Sequence, residues 1–166
     1  LEAIAGLRRV DEGSIIYTPE NAAPEDLVGK SPMDIKNAGV SLAFVPEDRL
    51  GMGLVGSMGM TDNMLLRNWN KNKGMVIDKS ESKKLAEEIY NELEVVTPSI
   101  DYPVRKLSGG NVQKVLVGRE IATEPSVLMS AYAVRGLDIN TSYTIYDLMS
   151  KQKQKGAAVI FVGEDL

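Results

Sequence analysis

Three short apolar runs, VSLAFV at 40–45, SVLMSA at 126–131 and AAVIFV at 157–162, constrain this chain more than any other feature. Each is too short for an ordinary helix and lacks a polar alternation, which suits strands buried on both faces of a parallel sheet. Pro46 halts the first run. The stretches between them are helical in pattern. DKSESKKLAEEIYNELEV places Leu85, Ile89 and Leu93 four residues apart on one face. NVQKVLVGREIA and a segment over about 142–154 supply two more helices. Strands alternating with helices predict an α/β fold with a mostly parallel sheet.

The remaining elements are shorter. Leu1 to Leu7 carry a helical apolar pattern, with Gly6 and Gly13 at the exit and a turn, and SIIY at 14–17 reads as a strand. In SPMDIKNAG, Ser31 is a candidate N-cap, Pro32 takes the first helical position and Gly39 ends the helix. RLGMGLVGSMGMTDN reads as a mobile connection into a helix capped near Thr61 or Asp62, and RNWNKNKG as a polar loop. Residues 50–122 are then an inserted, mostly helical lobe, with 1–49 and 123–166 forming the α/β core.

Composition removes whole classes of chemistry. The chain has no cysteine and no histidine, so disulfide frameworks, thiolate or imidazole metal sites and Ser-His or Cys-His nucleophiles are excluded. A net charge of -4 argues against a nucleic-acid partner. No apolar run approaches the roughly 20 residues that span a bilayer. The chain opens without Met on a helix-like stretch and stops just beyond a strand, so a truncated domain is expected.

The stretch LSGGNVQK is the strongest candidate for binding chemistry. Gly109 and Gly110 let the backbone approach an anion, Ser108 offers a hydroxyl, and the helix that follows presents free N–H groups. The plainer alternative is a helix start with Ser108 as its cap. In VPEDR at 45–49, Glu47 lies at the end of a buried strand, where an α/β sheet places ligand chemistry; the plainer alternative is a surface pair of Glu47 with Arg49.

Together and in this order these stretches resemble the ATP-binding subunits of ABC transporters, in the group that imports simple sugars and nucleosides, and within it the second, C-terminal nucleotide-binding domain. LSGGN at 107–111 is similar to the family's signature, VPEDR to the segment holding its Q-loop glutamine, RGLD at 135–138 to its D-loop, and LEAIAGLRRVDEGSIIY to the helix after the P-loop. The resemblance implies a P-loop NTPase fold with an inserted helical subdomain. It implies that Ser108, Gly109, Gly110, Asn111 and Gln113 contact nucleotide, that Glu47 stands at the glutamine's place, and that Asp138 lies at a domain interface.

Other positions depart from the family pattern. Alignment on RGLD puts Ala131 where the family's Walker B strand ends in a magnesium-holding Asp, and Tyr132 where it has the water-polarising Glu. Glu164 falls at the switch histidine. The glycine-rich, lysine-bearing phosphate loop does not occur in these residues. The expectation is a domain that hydrolyses nothing itself, binds no cofactor or metal alone, and donates its signature to ATP held by a partner domain. The resemblance implies ATP and magnesium in the assembled transporter, transmembrane permease subunits as partners, and a peripheral place on the cytoplasmic face of the membrane. Two rival readings are a non-catalytic ABC-like regulatory or dimerisation module and a soluble ABC ATPase not tied to transport.

Overall fold

The computed structural model of the chain describes residues 1–19, 23–68 and 77–163. Two-residue strands β1 (Ile16–Tyr17) and β2 (Glu25–Asp26) pair antiparallel, Ile16 opposite Asp26. Helix α1 (Pro32–Asn37) is capped by Ser31, with Pro32 at its first position, as the sequence predicts. Ser31 Oγ accepts from the Asp34 N–H and Asp34 Oδ2 accepts from the Ser31 N–H, both at 3.2 Å, a reciprocal arrangement that satisfies two otherwise orphaned donors.

The principal sheet is parallel. Its strands β3 (Leu42–Val45), β4 (Val127–Ala131) and β5 (Ala158–Val162) lie in the order β3-β4-β5. Helices α2 (Met60–Asn68), α3 (Ser80–Glu92) and α4 (Gly109–Ile121) intervene between β3 and β4, and α5 (Ile139–Gln154) carries the chain from β4 to β5. The α/β class and the parallel sheet are therefore as expected.

Alternation along β4 decides what each sheet face meets. Val127 and Met129 pack with Leu27, Ile35 and Val40 on one face. Leu128 points to the other, into a cluster with Leu116, Ile89, Met64 and Ile145. This second cluster includes Ala43 and Val45 of β3, so the intervening helices and the sheet share one apolar core. Burying a side chain such as Leu116, which is 0% exposed, stabilises the fold by about 1.5–3 kcal/mol.

Several boundaries differ from the sequence reading. Residues 1–7 form successive turns rather than a helix: Ala5 N–H bonds Leu1 C=O, Gly6 N–H bonds Ala3 C=O and Leu7 N–H bonds Glu2 C=O, three different spacings. Gly6 has φ +74°, which breaks any regular ladder, and a Cβ there would meet the Lys30 carbonyl oxygen at 2.7 Å. The SIIY strand shrinks to its last two residues, and its partner β2 was not anticipated. Helix α5 begins at Ile139 rather than near 142, because Asp138 caps it. The glycine- and methionine-rich segment is irregular but bonded, not loose. Asp48 caps a π-helical turn at Arg49–Gly53, and the buried Asn63 amide bonds the Val55 N–H and the carbonyls of Val55, Met58 and Gly59. From residue 69 the RNWNKNKG loop lies outside the described residues.

Candidate functional site

The Ser-Gly-Gly turn is built from the glycine-rich segment outward. The Val104 N–H bonds the Met58 carbonyl and the Arg105 N–H bonds the Gly56 carbonyl, each at 3.0 Å, while the Val104 side chain is fully buried. This anchor fixes the approach to α4. Ser108 then adopts extended backbone (φ −63°, ψ 155°) and caps the helix. Its Oγ accepts from the Asn111 N–H at 3.4 Å and from Asn111 Nδ2 at 2.9 Å. Asn111 Oδ1 in turn accepts from the Val96 N–H at 2.9 Å, which ties the turn to the chain leaving α3. Ser108 and Gly109 remain exposed.

A second helix start lies beside the first. Asp138 caps α5, its Oδ1 accepting from the Thr141 N–H at 2.9 Å and its Oδ2 from the Thr141 hydroxyl at 2.7 Å. The hydroxyl and then the N–H of Thr141 hold the Asp138 carboxyl below the usual aspartate range. A Cβ on Gly110 would sit 3.1 Å from Thr141 Oγ1 and 3.7 Å from Asp138 Oδ2. Gly110 is thus what allows the two helix starts to approach, and the fold brings Ser108, Gly109, Gly110 and Asp138 together.

Gln113 goes elsewhere. It is fully buried, its Oε1 accepts from Arg49 Nε at 2.7 Å, and its Nε2 has no partner among the described residues. Glu47 bonds not Arg49 but Arg135, Nη1 to Oε1 at 2.5 Å, with both side chains about half exposed. Such an exposed pair adds little stability. Arg49 Nη2 donates to the Arg135 carbonyl oxygen at 2.5 Å. Arg49, Arg135 and Thr141 were not singled out from sequence for these contacts; those of Arg49 and Arg135 join residues 64 to 88 apart and leave no periodic signal. Arg49 and Arg135 stood within the quoted stretches VPEDR and RGLD, but neither stretch shows these partners.

At the end of β4 the chemistry thins out. Ala131 offers a methyl group. Tyr132 takes a left-handed backbone, φ +51°, donates its N–H to the Val162 carbonyl at 2.7 Å, and faces the Arg135 guanidinium at 6.0 Å from its ring centre. Neither side chain can hold magnesium or act as a carboxylate base, and among the described residues no cluster of three or more carboxylates gathers around a metal position. The residues present here do not fit a magnesium ion. Glu164 lies outside the described residues.

A separate charged cluster joins α2, α4 and β3. Glu120, 2% exposed, accepts from Arg67 Nη2, from Arg119 Nη2 at 2.9 Å and from the Phe44 N–H at 3.3 Å. It borders a cavity of about 300 Å³ lined mainly by apolar side chains, including Leu7, Pro32, Phe44 and Met52.

Comparison with known proteins bears on the family and the fold. No family model matches the chain. It is 36% identical over 168 residues to the ribose import ATP-binding protein RbsA of Oceanobacillus iheyensis, covering 100% of this chain and 32% of that protein. It is 33% identical over 171 residues to the galactose/methyl galactoside import ATP-binding protein MglA of Fusobacterium nucleatum, and 32% identical over 169 residues to the guanosine import ATP-binding protein NupO of Bacillus subtilis. In both cases the match covers 100% of this chain and 32% of the relative. The chain thus spans about a third of the length of the curated relatives it matches. Among solved structures, the dimeric post-hydrolysis state of the ATP-binding cassette MJ0796 bound to ADP and Pi superposes with a TM-score of 0.74 at 23% identity, over 99% of this chain and 68% of that one. MJ1267, an ATP-binding cassette of an ABC transporter, superposes with a TM-score of 0.68 at 22% identity, over 99% of this chain and 64% of that one.

Proposed function

The chain belongs to the ABC ATPase family, among the ATP-binding proteins of sugar and nucleoside importers, and from that premise we propose that it donates its signature turn to ATP held by a partner ATPase domain. The whole protein is then the ATP-hydrolysing component that powers import of a simple sugar or nucleoside, working from the cytoplasmic face of the membrane beside its permease subunits. Among the described residues no helix is long and apolar enough to cross a membrane.

One observation carries this reading. The turn at Ser108 to Gly110 is built, with Ser108 and Gly109 exposed, while the adjoining β4 end presents Ala131 and Tyr132 and no carboxylate. A site equipped to meet phosphate but not to activate water suits a donor half-site. Ser108 and the N–H groups of Gly109 and Gly110 stabilise charge across the interface, in a position where preorganised donors are most effective. ATP supplies the transferable phosphoryl group, with magnesium held by the partner's residues. Asn111 braces Ser108 rather than reaching outward, and Asp138 sets the adjoining helix start.

On this reading residues 50–122 act as the helical subdomain and the rest as the core. The segment 50–67 and the cavity beside Met52 form the contact for the permease, where Leu7 and Met52 are 70% and 69% exposed. Apolar, adaptable side chains around a recess suit an inserted helix from the membrane subunit.

The test uses the full-length protein assembled with its permease. Ser108→Arg places a bulky cation in the turn and is expected to abolish ATP hydrolysis and transport while leaving assembly intact. Wild-type turnover in that variant contradicts the donor role and favours a non-catalytic regulatory module.

A further inference from the structure

Arg49 spans three segments that the chain brings together from far apart. Its Nε donates to Gln113 Oε1 at 2.7 Å, in the first turns of α4. Its Nη2 donates to the Arg135 carbonyl at 2.5 Å, in the loop leaving β4. The position of a Cβ on Gly109 lies 3.5 Å from its Nη1, so the guanidinium lies against the signature turn. The loop closes on itself, because Arg135 Nη1 bonds Glu47 Oε1 at 2.5 Å and Glu47 stands two residues before Arg49.

The chemistry of these contacts is unusual for a structural arginine. Both acceptors are neutral oxygens, and among the described residues no carboxylate forms an ion pair with Arg49. Partial burial pushes its ionisation below the ordinary arginine range without a compensating charge. Gln113 is likewise buried, and its Nε2 has no partner among the described residues, a cost that apolar packing at this position would avoid. The two polar groups therefore serve each other: the amide oxygen fixes one edge of the guanidinium plane while the other edge reaches the β4 loop. A planar fork with directed N–H groups can make both contacts at once, which an ammonium on a flexible stem does poorly.

We propose that Arg49, through Gln113 and the Arg135 carbonyl, is a positioning residue that fastens the signature turn to the loop leaving β4, so that the Ser108 turn and the Asp138 helix start move as one body. The inference rests on the donor role of the signature. Arg49 touches no reacting atom in it; it acts by holding the donors at the distance the transition state requires. It also assigns Gln113 to this bracing rather than to nucleotide contact.

The experiment measures steady-state ATP hydrolysis by the full-length protein assembled with its permease, with thermal midpoints recorded on the same samples. Arg49→Met and Gln113→Leu are each expected to lower kcat on the order of 10-fold or more while KM for ATP stays within about 2-fold, since positioning errors act on the transition state. Arg49→Lys is not expected to restore the rate. Gln113→Glu, which keeps an acceptor oxygen, is expected to retain it. The double variant is expected to be no slower than either single one, because both break one linkage. Wild-type kcat in Arg49→Met, fully additive losses, or a rate loss explained entirely by unfolding at the assay temperature each overturn the positioning role. Ser108→Arg, run in parallel, separates the two ideas. If it is inactive while Arg49→Met is unimpaired, only the positioning role falls; if it is itself unimpaired, the donor reading falls and the positioning role with it.

Discussion

Ser108 and Asp138 perform the same local task at neighbouring helix starts, and they differ in what pH does to them. Ser108 does not titrate. The carboxyl of Asp138 is held low by the Thr141 hydroxyl and N–H, that of Asp34 by the Ser31 hydroxyl and N–H, and that of Asp78 by the Ser80 N–H and hydroxyl. A carboxyl whose folded value lies below its unfolded value stabilises the fold fully above the ordinary aspartate range, near pH ~3.9, and loses that contribution as pH falls through the lower folded value. Unfolding free energy is therefore expected to be flat from neutral pH to about 5 and to decline below about 4. Asp138→Asn, which keeps a good cap but cannot titrate, is expected to flatten part of that decline in urea melts taken across the pH range. At this scale sequence was a partial guide. The cap at Ser108 and the glycine pair were legible because helix starts use few residue types. The brace from Asn111 to Val96 was not, since it joins residues 15 apart across a bend, and nothing in a buried Gln113 distinguishes it beforehand from an outward one.

Between elements, the exposed edge of β3 is handled by side chains. Glu120 on α4 accepts from the Phe44 N–H at 3.3 Å, and Arg67 on α2 donates to the Leu42 carbonyl at 3.4 Å, an acceptor and a donor where a neighbouring strand would have placed its own. Arg119, 7% exposed, bonds both Glu120 and the Gly53 carbonyl, at 3.0 and 2.8 Å, so one cluster ties two helices to the strand and to the turn at 49–53. Glu120→Ala leaves Arg119 buried without its counter-charge and is expected to cost about 3–5 kcal/mol, read as a shift in denaturant midpoint. Glu120→Gln keeps the shape and one acceptor and is expected to cost less. Helix α3 was readable from its four-residue apolar spacing, and strands β3, β4 and β5 from short unbroken apolar runs, as strands covered on both faces show. The pair β1–β2 was not, because two residues carry no period and Glu25 and Asp26 are poor strand formers. The turns at residues 1–7 mimic a helix in pattern until the left-handed Gly6 interrupts them.

For the molecule as a whole, the parallel order β3-β4-β5 places the ends of β3 and β4 on the same side, next to the starts of α4 and α5. That convergence is what turns four separate sequence stretches into one surface. It also explains why the family was legible here before most contacts were: its motifs lie in short stretches at strand ends, which sequence displays, whereas the network that orients them is tertiary. What distinguishes a donor half-site is that the turn at 108–110 meets phosphate belonging to another domain. The most direct measurement is photolabelling with an ATP analogue carrying a reactive group on its γ-phosphate, followed by peptide mapping, in the full-length protein assembled with its permease. The peptide containing Ser108 is expected to be labelled, and that labelling to disappear when the partner domain's own phosphate loop is inactivated. Labelling that persists unchanged after that inactivation, or that never reaches this peptide while ATP is being hydrolysed, contradicts it.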